Sequence, residues 1–147
     1  MAAKDDYLID LLVDMALVSN EQLAAVREET SANGEGVIDT LIAHKIIRSV
    51  DVAQAKAAHF GYEFINLSEV RVSDDVISAI PRHVAKRYRA VPVGKHDHSI
   101  AVALGDPSDL DVVDTLTRLL NAEIEVRVAT DEDIDNALNK YYGASDD

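Results

Sequence analysis

The stretch from Tyr88 to Gly143, YRAVPVGKHDHSIAVALGDPSDLDVVDTLTRLLNAEIEVRVATDEDIDNALNKYYG, decides the fold. Two short apolar patterns, 90–93 and 100–104, flank a polar turn and predict a β-hairpin. Pro107 then excludes an uninterrupted strand, because proline has no amide hydrogen to donate. An amphipathic helix over 110–121, a strand over 123–129 and a helix from Thr130 to Gly143 follow. Five apolar residues are assigned to the inward side of the first of these helices: Leu110, Val113, Leu116, Leu119 and Leu120.

Upstream of this stretch, the sequence predicts one more strand, one helix and a further helical turn. Residues 64–67 read as a short strand, Ser73 as the cap of a helix over 74–80, and Pro81 as the start of a helical turn to Tyr88. The resulting order is strand, helix, strand, strand, helix, strand, helix. We therefore predict a small α+β domain with a mixed β-sheet flanked by helices over residues 62–147.

Residues 1–61 carry an internal repeat. Each copy predicts a helix, a turn and a second helix, with Ser19 and Gln22 forming a capping box in the first copy and Ser49 as the cap in the second. At one constant offset, four apolar pairs keep register: Leu12 with Leu41, Val18 with Ile47, Leu23 with Val52, and Val26 with Ala55. Each hairpin is too small to bury its own apolar face, so we predict that the two hairpins share one core.

The composition excludes several classes of protein. The 147 residues are 48% hydrophobic and carry a net charge of −13, which opposes binding to nucleic-acid phosphates. The absence of cysteine excludes disulfides and thiolate zinc sites. Neither a signal peptide nor an apolar run long enough for a bilayer span is present, so we expect a cytoplasmic protein without direct membrane insertion.

Catalytic motifs are also missing from the sequence. The phosphate-binding loop G-x-x-x-x-G-K-[S/T] fails, because Gly94-Lys95 is followed by His96 and position 89 is arginine. Residues two apart share one face of a strand, so His96 and His98 with Asp106 define the alternative of a small metal-dependent enzyme. A solvated turn is the preferred interpretation. We predict no catalytic residue, no metal ligand and no enzymatic activity.

Four aspartates cluster next to the second β pattern: Asp106, Asp109, Asp111 and Asp114. Acid–base or magnesium chemistry is one interpretation of this cluster. A turn followed by the start of a helix explains it more simply, because acidic side chains are favoured at the positive end of the helix dipole.

Many short matches in order carry a family resemblance. In the second half they are Arg89-Ala-Val-Pro-Val, Ile100-Ala-Val-Ala, Asp106-Pro-Ser-Asp, Leu116, Val126, Val128-Ala129, Glu132-Asp-Ile and Ala137 to Tyr142. Upstream they are Phe64-Ile-Asn-Leu, Ile80-Pro81 and Ala85-Lys-Arg-Tyr88-Arg. With them the chain resembles, from Tyr7 to Gly143, the amino-terminal domain of type II secretion and type IV pilus assembly ATPases, the MshEN or T2SSE_N type of domain.

The resemblance implies a bacterial, non-catalytic domain that precedes an ATPase core. It would dock the motor onto the cytoplasmic part of an inner-membrane platform protein, which would recruit it to that membrane. We place the partner contact on the first helix, where apolar residues recur at helical spacing: Tyr7, Leu8, Leu11, Leu12 and Met15. A free-standing adaptor with the same fold is an alternative.

In a subset of that family the helical repeat binds cyclic di-GMP, which defines a second alternative, a nucleotide sensor. The binders' repeat begins Arg-Leu-Gly, has a glycine before the turn and ends in glutamine. The first copy here has Tyr7, Ile9, Ala16 and Thr30 at those positions. The second copy has Gly36, Ile38, Lys45 and His59. The arginine and the turn glycine are replaced in both copies, so we predict no bound cofactor.

Overall fold

Two apolar cores organise the protein. They belong to two compact units, Met1–Ala55 and Lys56–Asp147. The computed structural model describes the backbone of residues 2–143 and the side chains of residues 7–143. The division falls inside a helix, whereas the sequence predicts a boundary between residues 61 and 62, and that assignment stays a prediction.

The helical repeat forms two hairpins. The first consists of α1 (Ala2–Asp14) and α2 (Asn20–Asn33), and the second of α3 (Val37–Ala43) and α4 (Ser49–Phe60). Helix α2 ends at Asn33, and Gly34 caps it with a left-handed φ of 78°. None of the helices in the described part of the chain has the length and apolarity needed to cross a bilayer.

The predicted internal repeat is confirmed by the core of the first unit. Leu12 and its repeat partner Leu41 are both completely buried, and α3 packs against both α1 and α2. The other apolar pairs also face this core, with Leu23 half-buried. The two hairpins share one core because neither has enough apolar surface to form one alone.

The second unit is a mixed four-stranded sheet with helices. Its elements are β1 (Glu63–Phe64), a 3-10 turn (Leu67–Glu69), α5 (Asp74–Ile77), α6 (Arg82–Tyr88), β2 (Val91–Lys95), β3 (Ser99–Leu104), α7 (Leu110–Leu120), β4 (Glu123–Val128) and α8 (Asp131–Tyr142). The strand order is β1-β4-β3-β2. The pairs β1–β4 and β3–β4 are parallel, and the hairpin β2–β3 is antiparallel. The predicted α+β class is confirmed.

Strand β3 lies at the centre of the second core. Its residues 100–104 are all buried, and its whole length pairs with β4 from Ser99–Glu123 to Leu104–Val128. On its other side, β2 carries Pro92 and a register shift between Pro92 and Gly94. Both features suit an edge strand, because proline cannot donate to a further strand.

Helix α7 corrects one prediction. Leu116 is completely buried, but Leu110 is 64% exposed and Leu119 is 54% exposed. Helical residues advance by about 100°, so Leu110 and Leu119 point in opposite directions and cannot share one inward face. The burial of Leu116 between these two directions satisfies the core, and both leucines stay at the surface.

The carboxyl-terminal end of α8 is tied to the segment before β2. The amide of Val72 donates to the Tyr141 hydroxyl at 3.1 Å. The Tyr142 hydroxyl donates to a pair of carbonyl oxygens, at 2.9 Å from Ile77 and 3.1 Å from Ile80. The Arg82 guanidinium donates to the Tyr142 carbonyl at 2.7 Å. Helix α5 is shorter than the predicted helix over 74–80, because it ends at Ile77. The Tyr142 hydroxyl caps the carbonyl oxygen of that residue.

The pKa of Tyr142 makes this contact testable. Burial raises the pKa of Tyr142 to about 12 from 10.0, so the folded protein favours the protonated phenol. This stabilisation is complete below pH 10 and is lost as the pH rises towards 12. We expect Tyr142→Phe to remove about 1 kcal/mol at pH 8, allowing for solvent screening, and to flatten this alkaline loss. Denaturant unfolding of the wild type and of Tyr142→Phe at pH 8 and above about pH 10 measures the difference in stability. An equal alkaline loss of stability in the two proteins would contradict the prediction.

Candidate functional site

The turns of the two hairpins have the same geometry. Ala16 has a φ of 61° and Lys45 a φ of 62°, both in the left-handed region. Each turn closes with a bond back to the preceding helix: the Leu17 amide donates to Leu12 and the Ile46 amide to Leu41, both at 3.0 Å. The family resemblance places a glycine at these positions in the nucleotide-binding repeats, and glycine is the residue that adopts this conformation without strain.

The predicted partner-binding residues on α1 fall into two groups. Leu8 is 2% exposed and Leu12 is fully buried, so both belong to the core of the first unit. Tyr7 and Leu11 are half-buried against that core, and Met15, just after the helix, is 44% exposed. A partner that meets this helix can therefore reach Met15 and the outer parts of Tyr7 and Leu11.

Two of the four nucleotide-motif positions of the first copy, Ile9 and Thr30, hold buried side chains. Ile9 is 2% exposed and fills the core where the binders' motif has glycine. Thr30 is 8% exposed, and its hydroxyl donates to the Arg27 carbonyl at 3.2 Å within its own helix. Ala16 is exposed but offers only a methyl group. The side chains of Ile9 and Ala16 have no hydrogen-bond donor, and the Thr30 hydroxyl is engaged within its own helix.

The second copy is similar. Gly36 is exposed with an ordinary φ of −75° at the start of α3, and Ile38 is buried. Lys45 is exposed and is the one cationic side chain among the motif positions. His59 is exposed beside the Phe60 ring, in an edge-to-face contact with centroids 4.8 Å apart, and belongs to the second unit.

A cavity of about 380 Å³ opens beside Gly36. Glu35, Asp39, Thr40 and Ala43 line it together with that glycine. The two carboxylates give this cavity a negative charge, and none of its lining residues is cationic. A dianionic ligand would be repelled from it, because like charges at short range disfavour binding.

The start of α4 differs from the capping predicted for Ser49. Ser49 is already helical, and Arg48 holds the capping position. The Arg48 amide donates to Asp51 at 3.0 Å and its guanidinium donates to the same carboxylate at 2.9 Å. These hydrogen bonds hold the pKa of Asp51 below its usual range. Asp51 occupies the position of Gln22 in the first copy, whose side chain accepts the Ser19 amide in the same way.

The predicted alternative of a metal site at His96, His98 and Asp106 does not assemble. Both histidines are exposed at the tip of the β2–β3 hairpin, and Asp106 follows the opposite end of β3. Six strand residues separate the two places by roughly 20 Å. Among residues with described side chains, no group of three or more His, Asp or Glu residues could hold a metal ion.

Two of the four aspartates at the start of α7 have structural roles. Asp109 caps the helix by accepting the Val112 amide at 3.4 Å, as predicted for a helix start. Asp106 accepts the Ser108 amide at 3.1 Å and so holds the turn. Asp111 and Asp114 are exposed on the helix itself.

A mixed four-stranded sheet preceded by a two-hairpin repeat defines an α+β domain. The chain belongs to the MshEN domain family, whose model matches residues 60–147. It corresponds to the amino-terminal domain of type II secretion and type IV pilus ATPases, as the residue matches indicated.

Relatives from two bacteria support this assignment. The chain is 33% identical over 133 residues to the type IV pilus assembly ATPase PilB of Myxococcus xanthus, covering 90% of this chain and 24% of that protein. It is 17% identical over 136 residues to PilB of Pseudomonas aeruginosa, covering 92% of this chain and 24% of that protein. The chain thus spans about a quarter of the length of these curated relatives.

Solved structures share the fold. A structure of MshE with cyclic di-GMP superposes with a TM-score of 0.75 at 27% identity, covering 92% of this chain and 98% of that chain. The amino-terminal domain of XpsE superposes with a TM-score of 0.67 at 18% identity, covering 92% of this chain and 94% of that chain. The second likeness concerns the fold alone.

The left-handed turns give a prediction of stability. We expect Ala16→Gly to stabilise the protein by about 0.5–1 kcal/mol, because glycine relieves the left-handed strain at a smaller cost in unfolded-state entropy. Lys45→Gly should behave in the same way. The matched control Ala24→Gly, at an exposed position inside α2, should instead destabilise by about 1 kcal/mol. Thermal unfolding measures all three variants, and destabilisation by Ala16→Gly would exclude the left-handed turn.

The Arg48–Asp51 contact gives a second prediction. We expect Asp51→Ala to destabilise the protein by about 1 kcal/mol at pH 7, since the amide of Arg48 loses its acceptor. The pKa of Asp51 is lowered in the folded state, so its contribution is present above about pH 4 and is lost as the pH falls further. Asp39→Ala, at the equivalent place in α3 but without a capping bond, is the control. Equal losses for both variants in urea unfolding would refute the capping role.

Proposed function

We propose that this chain is a non-catalytic docking domain that attaches a secretion or pilus ATPase to the cytoplasmic part of an inner-membrane platform protein. The observation that carries the proposal is the family assignment of a sequence that holds no phosphate-binding loop. Such a domain contributes a surface and not a reaction centre. It works in the cytoplasm and reaches the inner membrane through its partner.

The shape of the described surface supports this role. The cavity beside Gly36 is open and acidic, and most apolar residues of the repeat pack in the shared core. Binding therefore depends on side chains at the surface, where apolar contacts and complementary charges hold a partner. The net charge of −13 favours a partner with a basic contact surface.

Cyclic di-GMP sensing is the second candidate, because the fold is shared with a structure of MshE with that ligand. Two features of this chain oppose it. Ile9 and Ile38 occupy buried positions with their side chains, and the motif's arginine is replaced by Tyr7 and Gly36. A ligand with two phosphates would meet Lys45 as the only cation among the motif positions.

Calorimetry separates the two candidates. We expect the chain to bind the purified cytoplasmic domain of the platform protein of its own system with micromolar or better affinity, and to give no heat with cyclic di-GMP at high micromolar concentration. Saturable heat with cyclic di-GMP would establish the sensor. If this chain and the platform domain are both folded and do not bind each other, docking is refuted.

The contact predicted on α1 has its own test in the same assay. Met15→Glu changes the exposed side chain just after this helix and leaves the core intact, so any loss of affinity reports contact and not unfolding. We expect about tenfold weaker binding if α1 meets the partner. Ala25→Glu, at an exposed position on α2, is the charge-matched control. Unchanged affinity for Met15→Glu removes α1 from the interface.

A further inference from the structure

The first two turns of α7 combine an exposed apolar side chain with a high density of negative charge. Leu110 is 64% exposed, more than any other large apolar side chain among the described residues. Asp111 follows it, and Asp114 lies one turn further along the helix. Protein interfaces have an apolar centre and a polar rim, and the start of α7 offers both kinds of side chain.

A cavity of about 150 Å³ adjoins this helix start. Its apolar walls are Tyr88, Leu104 and Val112, which come from the end of α6, the end of β3 and the first turn of α7. A volume of this size accepts the aliphatic part of one side chain and is too small for a nucleotide.

The rim of this cavity is acidic. Asp106, Asp109 and Asp131 line it, with Arg89 as the cation among its lining residues. Arg89 forms ion pairs with Asp131 and Asp135, so its charge is compensated within the fold. The Lys56 ammonium donates to the Gly105 carbonyl at 3.2 Å and adds a second cation near this turn.

The balance of charge at the start of α7 is still negative. Four carboxylates lie within four residues of Leu110 along the chain: Asp106, Asp109, Asp111 and Asp114. The dipole at a helix start amounts to about half a positive charge, which these carboxylates outweigh. Arg118 follows one turn after Asp114 and confines the acidic surface to the first two turns. A metal ion is not the natural occupant, because the described residues contain no three-ligand group.

We propose that the start of α7 is the surface on which this domain docks a positively charged segment of the platform protein. Leu110 makes the apolar contact, the carboxylates attract the segment, and the adjoining cavity receives the aliphatic stem of a lysine or arginine. The amine or guanidinium of that side chain would reach the acidic rim, while its stem displaces water from the apolar walls. This inference rests on the proposed docking function and adds the site and the chemistry of the partner.

The test uses surface variants on the two sides of one helix. The purified cytoplasmic domain of the platform protein is titrated into the wild-type chain and into Leu110→Ser and Asp114→Lys. We expect each variant to weaken binding about tenfold, and Asp114→Lys also to reduce the salt dependence of the affinity. Leu119→Ser, half a helical turn away around the axis of α7, and Glu123→Lys, at the exposed first residue of β4, are the matched controls and should bind like the wild type.

The outcomes separate this inference from the docking function itself. Wild-type affinity for both Leu110→Ser and Asp114→Lys would overturn the α7 surface while leaving docking in place, and a loss confined to Met15→Glu would move the contact to α1. No binding by the wild-type chain would refute docking altogether. Self-association that Leu110→Ser abolishes, seen in analytical ultracentrifugation, would assign the surface to a second copy of this chain and also overturn the inference. Unchanged unfolding curves show that each variant is folded.

Discussion

The buried backbone of β3 is the constraint on which the second unit depends. A strand whose residues 100–104 are all inaccessible must satisfy its amides and carbonyls on both edges, since an unpaired buried polar group is costly. The antiparallel β2 supplies one edge and the parallel β4 the other. A parallel neighbour requires a crossover, and α7 is that crossover. The place of α7, and of the acidic turn that starts it, therefore follows from the pairing of β3.

This constraint also explains why α7 leaves apolar side chains at the surface. The helix must cover β3 and β4 with one side, and Leu116 at 0% exposure shows which side that is. Leu110 lies at its first turn, next to the Asp106–Pro107 turn that changes the direction of the chain after β3. Asp109 satisfies the amide of Val112 there, and the 64% exposure of Leu110 shows that the core packs without it. A side chain that the fold does not use is available to a partner.

Local chemistry made much of this fold predictable from the sequence. Ser19 with Gln22, Thr130 and Gly143 each mark a helix end through a bond or backbone angle that the residue type itself favours. Prediction failed where several residues compete for one role. The periodicity of α7 offered five apolar residues for an inward face, and only three-dimensional packing selected among them. Asp51 was missed as a capping residue because its partner is arginine, although the repeat offset from Gln22 points to it.

The candidate site was harder to predict than the fold, for a physical reason. In the helical repeat, the same apolar frame serves packing and ligand binding, so its presence cannot distinguish the two. The distinguishing positions are those where a glycine would leave space for a ligand. Ile9 and Ile38 place buried side chains there, which adds apolar burial to the shared core and removes that space. The repeat thereby gains stability as a scaffold. In the proposed docking role, recognition depends on surface charge, which varies without disturbing the core, and the acidic start of α7 joins such charge to an exposed apolar side chain.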